Sequence, residues 1–209
     1  MNNVLQQEID RFNKLLDIIL KSINQLVKAI KGEIMISKSS ESIFNSFLTQ
    51  KVPEHWASNS YPSLKPLASW IKNLLQRTKY FSLWCRNMIL YTEGAFNSMN
   101  PSSLWISGFF YPQGLLAAIS QNYARKYRVS IDSLQFLFEI QNHMHDENGV
   151  NIDELFENEP KYDTNGQEGI LLCGFYMDGG KWDTTQSVIV DSSFRYTQLP
   201  HILCKLILV

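Results

Sequence analysis

Cysteine is scarce in this chain and shows no pattern: Cys85, Cys173 and Cys204 are odd in number, far apart and without a C-x-x-C pair. That excludes a disulfide framework and the usual zinc signature, and it reads as three reduced, mostly buried intracellular thiols. Excess charge is also missing. Nineteen basic residues stand against 20 acidic ones, a net charge of −1, which removes the electrostatic case for nucleic acid or an anionic membrane as partner. No window reaches the ~18 uncharged apolar residues of a membrane span. The opening MNNVLQQEIDRF lacks the charged-then-apolar pattern of a secretion signal.

What is present is apolar and aromatic mass. Hydrophobic residues make up 44% and aromatic residues 12% of 209 positions, enough for one large core or two small ones. From Asn3 to Lys31 the positions Leu5, Ile9, Phe12, Leu16, Ile19, Ile23, Leu26 and Ile30 alternate spacings of three and four, which predicts a long helix capped at Gly32. Leu15, Ile18, Leu20 and Val27 widen that stripe beyond a strict coiled-coil seam, which favours packing on a core over self-association. A second helix is expected from an N-cap at Ser40 through Phe44, Phe47 and Leu48. After Pro53, Pro62 and Pro66, a third buries Leu67, Trp70, Ile71, Leu74, Leu75, Phe81 and Trp84. Residues 91–103 read as a loop. An apolar burst from Leu104 to Tyr111 and a helix from Pro112 to Tyr127 follow.

Near residue 130 the period falls to two. Leu134, Phe136, Phe138 and Ile140 alternate with mostly polar neighbours, as in a half-buried strand. GILLCGFYM (169–177) and 201–209 are further strand candidates, and DGGKWD (178–183) is a turn signal. Residues 141–168 hold eight acidic residues and one lysine and read as a solvated loop with a short helix at 151–157. The expected fold class is α+β: a helical subdomain over 1–128, then an incomplete antiparallel β-barrel over 129–209.

Chemistry is sought and not found. A phosphate loop needs G-x4-G-K-[ST] between a strand and a helix. Gly174 and Gly179 have the spacing, but Gly180 follows, Lys181 is one place late, and Trp182 replaces the hydroxyl. A calcium loop centred on Gly149 would have Asp146 and Asn148 as ligands, but Met144 takes its first position and Leu155 its last, where a bidentate acid must close the site. His143 and His145 lack a third ligand at fixed spacing. Ser107 in WISGF lacks the upstream glycine of a nucleophile elbow. The expectation is no catalytic residue, no metal and no cofactor in this chain.

Four passages are unusual together: EIDRFNKLLDIILKSINQLVKAIKG (8–32), WASNSYPSLKPLASWIKNLLQR (56–77), WISGFFYPQGLLAAISQNYARKY (105–127) and GFYMDGGKWD (174–183). In this order and spacing the chain resembles, over essentially its whole length, the C-terminal region of dynein heavy chains. SGFFYPQG with QNYARKY resembles the axonemal branch. The resemblance implies a helical subdomain and a small incomplete barrel lying on a ring of six AAA+ modules and modulating a microtubule motor. ATP and Mg²⁺ would bind elsewhere in the heavy chain. Intermediate and light chains and microtubules would be indirect partners, and the place of work would be the cytoskeleton, in a ciliary or flagellar axoneme. It also implies further strands after the position of Val209.

Structural or interface roles fall to Tyr61, Pro62, Leu64 and Pro66 in the proline connector, and to Trp105, Gly108, Phe109, Phe110, Pro112, Gly114 and Tyr123 around WISGFFYPQG. Gly179, Gly180 and Trp182 complete the set, with Trp182 folding over the barrel mouth. The competing reading is a stand-alone helical adaptor that self-associates through the first helix.

Overall fold

In the computed structural model the described residues are 2–92, 103–141, 151–157, 169–193 and 197–208. The chain forms two compact units, Asn2–Phe81 and Ser82–Val209.

The first unit is helical. Helix α1 spans Asn2–Ile30 and ends in a Schellman motif: Gly32, at φ +76°, donates to the carbonyl of Ala29, and Glu33 donates to that of Lys28. Helix α2 spans Lys38–Leu48, and its N-cap is Ser37, whose hydroxyl accepts from the backbone N–H of Ser40. The expected cap at Ser40 is thus corrected by three residues. Ser37, Ser39 and Ser40 are all chemically competent caps, and sequence alone cannot rank them. A short helix α3 covers Glu54–Ala57, and α4 runs from Leu67 to Thr92. The boundary between the units falls inside α4.

One face of α1 is buried, but not the one its apolar spacing suggests. Leu5, Glu8, Phe12, Leu15, Ser22, Leu26 and Ala29 face inward, while Leu16, Ile23 and Ile30 are exposed. The helix is rolled by one row because two polar residues are satisfied inside. Glu8 accepts from Arg11 at 3.2 Å. Ser22 Oγ accepts from Trp56 Nε1 at 2.9 Å and donates to the carbonyl of Ile19. A buried polar group costs little once it is hydrogen-bonded, and apolar spacing cannot see that option. On α4 the same shift occurs. Leu67, Trp70, Leu74, Phe81 and Trp84 are buried as expected, whereas Ile71 and Leu75 are exposed and Asn73 and Arg77 take inward places.

The second unit contains helix α5, Pro112–Tyr127, with proline in its first turn and Arg128 in the left-handed region as C-cap. Its main sheet has four strands: β1 (Ser103–Trp105), β2 (Leu134–Gln141), β3 (Gly169–Cys173) and β8 (His201–Leu208). They lie in the order β1-β3-β8-β2. β2 and β3 both run antiparallel to β8, while β1 pairs with β3 in parallel. The strand at Ser103–Trp105 goes beyond the sequence reading, since three wholly buried residues carry no alternation.

The expected strand at 169–177 is broken. Gly174, at φ +80°, separates β3 from β4 (Tyr176–Met177). β4 pairs with β7 (Thr197–Gln198), and β5 (Gly180–Asp183) pairs with β6 (Val188–Asp191). Among the described residues the three sheets do not close on one another, so the architecture is α+β with an incomplete, barrel-like β half. Within the acidic stretch residues 151–157 are described, and the short helix expected there is corrected to α6, Glu154–Glu157, with 151–153 leading into it through a turn. The expected loop at 91–103 is corrected at both ends, since α4 continues to Thr92 and β1 begins at Ser103, while its middle, 93–102, and most of 141–168 lie outside the described residues.

Candidate interface surfaces

The proline connector is anchored by one of its expected residues. Tyr61 is buried, whereas Pro62 and Pro66 are exposed and Leu64 is 88% exposed. Tyr61 sits in a run of rings that links α1 to α4: Phe12 at 6.5 Å and Trp70 at 6.2 Å, with Trp56 6.1 Å beyond Trp70 and Phe47 5.6 Å beyond Trp56. The guanidinium of Arg77 lies 3.5 Å from the Tyr61 ring centre and donates to Asn73 Oδ1 at 2.8 Å. Burial pushes the Tyr61 phenol up to about 12, against a smaller downward pull from Arg77. Burial and Arg77 both push the Lys65 ammonium below its ordinary value. The exposed Leu64 belongs to no core of its own and is an apolar side chain offered outward.

WISGFFYPQG makes a tight knot. Trp105 and Phe109 are buried, Phe110, Pro112, Gly114 and Tyr123 are half-buried, and Phe109 meets Trp84 edge-on at 6.2 Å. The Trp105 indole is packed against two glycines. A Cβ on Gly108 would lie 2.9 Å from the ring, and one on Gly174 only 2.1 Å from Cδ1. Gly108 thus lets the backbone approach the six-membered part of the ring, and Gly174 lets it approach the pyrrole edge. Tyr123 packs on Tyr127 at 4.4 Å.

The DGGKWD passage is a corner, not the hairpin its glycines suggest. Gly179, at φ +73°, turns the chain from β4 to β5, while Gly180, Lys181 and Trp182 are already in strand β5. The hairpin turn itself is at 184–187, where Asp183 Oδ1 accepts from the N–H groups of Thr185 and Gln186. Those two bonds hold the Asp183 carboxyl below its ordinary range. Trp182 is half-buried and sits opposite Ile189 in the β5–β6 ladder. Gly174 and Gly179 lead from strand to strand, so no helix N-terminus faces them to receive a phosphate. His143, His145, Asp146, Asn148 and Gly149 lie outside the described residues, and among the described residues no cluster of metal-ligating side chains occurs. Nor is any helix there long and apolar enough to cross a membrane.

The stripe that sequence reasoning assigns mainly to the core, with self-association through the first helix as the rival reading, leaves one apolar row of α1 outward. Leu16, Leu20, Ile23, Val27 and Ile30 are 39%, 60%, 36%, 41% and 64% exposed. Their spacing of four, three, four and three aligns them on one row of the helix. Just after the helix, Ile34, Met35 and Ile36 are also exposed. A soluble surface usually scatters single apolar residues, so an aligned row of this kind is a candidate interaction surface. The signal for it is the unusual width of the stripe, which spacing alone assigns mainly to the core.

Known proteins match along the entire length. The family model that matches residues 1–208 describes the C-terminal domain of the dynein heavy chain. Dynein axonemal heavy chain 3 of Mus musculus is 37% identical over 207 residues, covering 98% of this chain and 4% of its own length. Dynein axonemal heavy chain 6 of Homo sapiens is 40% identical over 202 residues, 92% of this chain. Dynein axonemal heavy chain 1 of Mus musculus is 36% identical over 201 residues, 95% of this chain. In each of these two the chain again spans 4% of the relative's length. With its helices, its Trp105 knot and its open sheets all inside the matched span, the chain belongs to the family of C-terminal domains of dynein heavy chains.

Proposed function

We propose that the chain acts as the non-catalytic C-terminal domain of an axonemal dynein heavy chain, packing on the AAA+ ring and modulating ATP-driven, minus-end-directed movement along microtubules in cilia or flagella. The observation that carries this reading is the exposed row Leu16–Leu20–Ile23–Val27–Ile30 on α1, in a sequence that matches a motor's C-terminal domain throughout. A long row of apolar side chains on a rigid helix suits docking against another large body, and its helix-in-groove character needs no catalytic group. ATP, Mg²⁺ and the microtubule are then handled by other parts of the heavy chain, and intermediate and light chains are indirect partners.

The test is a heavy chain whose copy of this domain bears Leu20→Asp and Val27→Asp. Gliding velocity and microtubule-stimulated ATPase are expected to change while the domain's own fold, read by far-ultraviolet circular dichroism, is kept. Unchanged motility with a folded domain would refute ring docking through α1. The same exposed row supports a second reading, a stand-alone adaptor that pairs through α1. Sedimentation would then show a dimer lost with Leu16→Asp and Ile23→Asp.

A further inference from the structure

Helix α5 ends on a basic turn. Arg125, Lys126 and Arg128 are all exposed, and Arg128, at φ +55°, carries the chain out of the helix as its C-cap. Val129 and Ser130 then lead into a short 3-10 turn, Ile131–Ser133. Ser130 is exposed and is the N-cap of that turn, but its hydroxyl makes no capping bond. Only its carbonyl is engaged there, accepting from Ser133 Oγ at 2.8 Å and from the Ser133 backbone N–H at 3.3 Å. Arg125 and Ser130 line one open concavity together with Gln121 and Asp132. In the sequence RKYRVSI (125–131), Ser130 has arginine at −2 and −5, lysine at −4 and an apolar residue at +1. No other serine or threonine of the chain has basic residues at both −2 and −5.

We propose that Ser130 is a phosphorylation site for an arginine-directed protein kinase, and that its phosphate is then held by Arg125 across the shared concavity. Cations at these offsets suit a substrate cleft lined with carboxylates, and Ile131, 48% exposed, offers an apolar contact at +1. Residues 128–131 lie past the last residue of α5, so the helix need not unwind to present them. In the transfer, Ser130 Oγ attacks the γ-phosphorus of ATP. An Oγ–P bond forms, and the bond from that phosphorus to the β,γ-bridging oxygen breaks. ADP leaves, and the hydroxyl proton passes to a carboxylate base of the kinase. The new group brings a charge of about −2 and three strong acceptor oxygens. Guanidinium groups pair with such oxygens through charge-assisted hydrogen bonds. Among the residues lining the concavity only Asp132 opposes it. The end of α5 thus changes from a cationic patch to a nearly neutral one, tied to the turn that leads into β2.

The 209-residue chain is incubated with ATP and the catalytic fragment of protein kinase C, an arginine-directed kinase, and the product is mapped by mass spectrometry. Incorporation at Ser130 is expected. Ser130→Ala abolishes it, Arg128→Gln slows it about tenfold by removing the cation at −2, and Ser133→Ala leaves it unchanged. All these side chains are exposed, and circular dichroism confirms that each variant is folded. The phosphorus resonance of the product is then titrated. Its midpoint lies at lower pH in the folded chain than in the same chain unfolded in urea, because a guanidinium favours the dianion. Arg125→Gln narrows that gap. A folded chain that takes no phosphate, or takes it only elsewhere, overturns the proposal, as does incorporation confined to a peptide of residues 124–134. Equal midpoints in the folded and unfolded chain, or a gap untouched by Arg125→Gln, refute the hold by Arg125.

Discussion

The two units solve the problem of a small core in opposite ways. In the helical unit large side chains support one another: Phe47, Trp56, Trp70, Tyr61, Phe12 and Phe81 form a run of rings with centres 5.1–6.5 Å apart, and polar groups fill the remaining places. In the β unit one large ring is held by the absence of side chains, with Trp105 lying against Gly108 and Gly174. Loss of bulk should therefore hurt the first unit most, and gain of bulk the second. Outside their cores they differ again. The helical unit exposes an aligned apolar row on α1, and among the described residues the long outer strand of the β unit's main sheet is β2.

The largest expected effect is Trp70→Ala. It removes a ring that is 2% exposed and stacked on two others, and should cost about 3–5 kcal/mol. Native-state hydrogen exchange should show the loss in amides of residues 2–81. Equal loss in both units would break the comparison.

Gly174→Ala comes next, at about 2–4 kcal/mol, because a left-handed residue gains a Cβ where the Trp105 ring already stands. Its effect should appear in residues 103–208. Gly32→Ala is the control, at about 1 kcal/mol: φ is again positive, at +76°, but a Cβ would meet nothing within 4 Å. A urea series in which the two glycine variants lose the same stability would contradict a Trp105 knot held by close glycine contact.

The smallest effect at neutral pH is expected from Tyr61→Phe, which becomes informative in alkali. The folded protein keeps the phenol protonated up to about 12, while the unfolded protein releases it near 10.0. The folded state thus holds the extra proton between those values, so stability is intact below pH 10 and falls as pH rises towards 12. Urea midpoints from about pH 9 to 12 should decline more steeply for the wild type than for Tyr61→Phe. Parallel curves would place Tyr61 in solvent.

Much of this is legible in the sequence. The period-two pattern of β2, the proline-started α5 and the apolar 201–208 can be read almost to the residue, because each carries a strong local signal. The Gly32 cap is legible for the same reason. What fails is the choice between adjacent apolar rows on α1 and α4. That choice depends on Glu8, Ser22, Asn73 and Arg77 finding partners inside, a tertiary outcome that spacing cannot encode. Gly174 reads as part of a strand because a single glycine in an apolar run gives no sign of the ring it must admit. As for the interface residues, Tyr61 and Trp105 prove to be core anchors, while Leu64 and the α1 row are the groups that face outward.

Docking of the α1 row against the rest of a heavy chain is tested most directly by a cysteine at Leu20. Its alkylation rate would be measured in the isolated domain and in a heavy chain that includes it. Native thiols contribute little, since burial raises Cys173 to about 12 and Cys204 to about 11, and also raises Cys85. Rapid labelling in the isolated domain and strong protection in the heavy chain are expected. Equal labelling in both would contradict docking through α1.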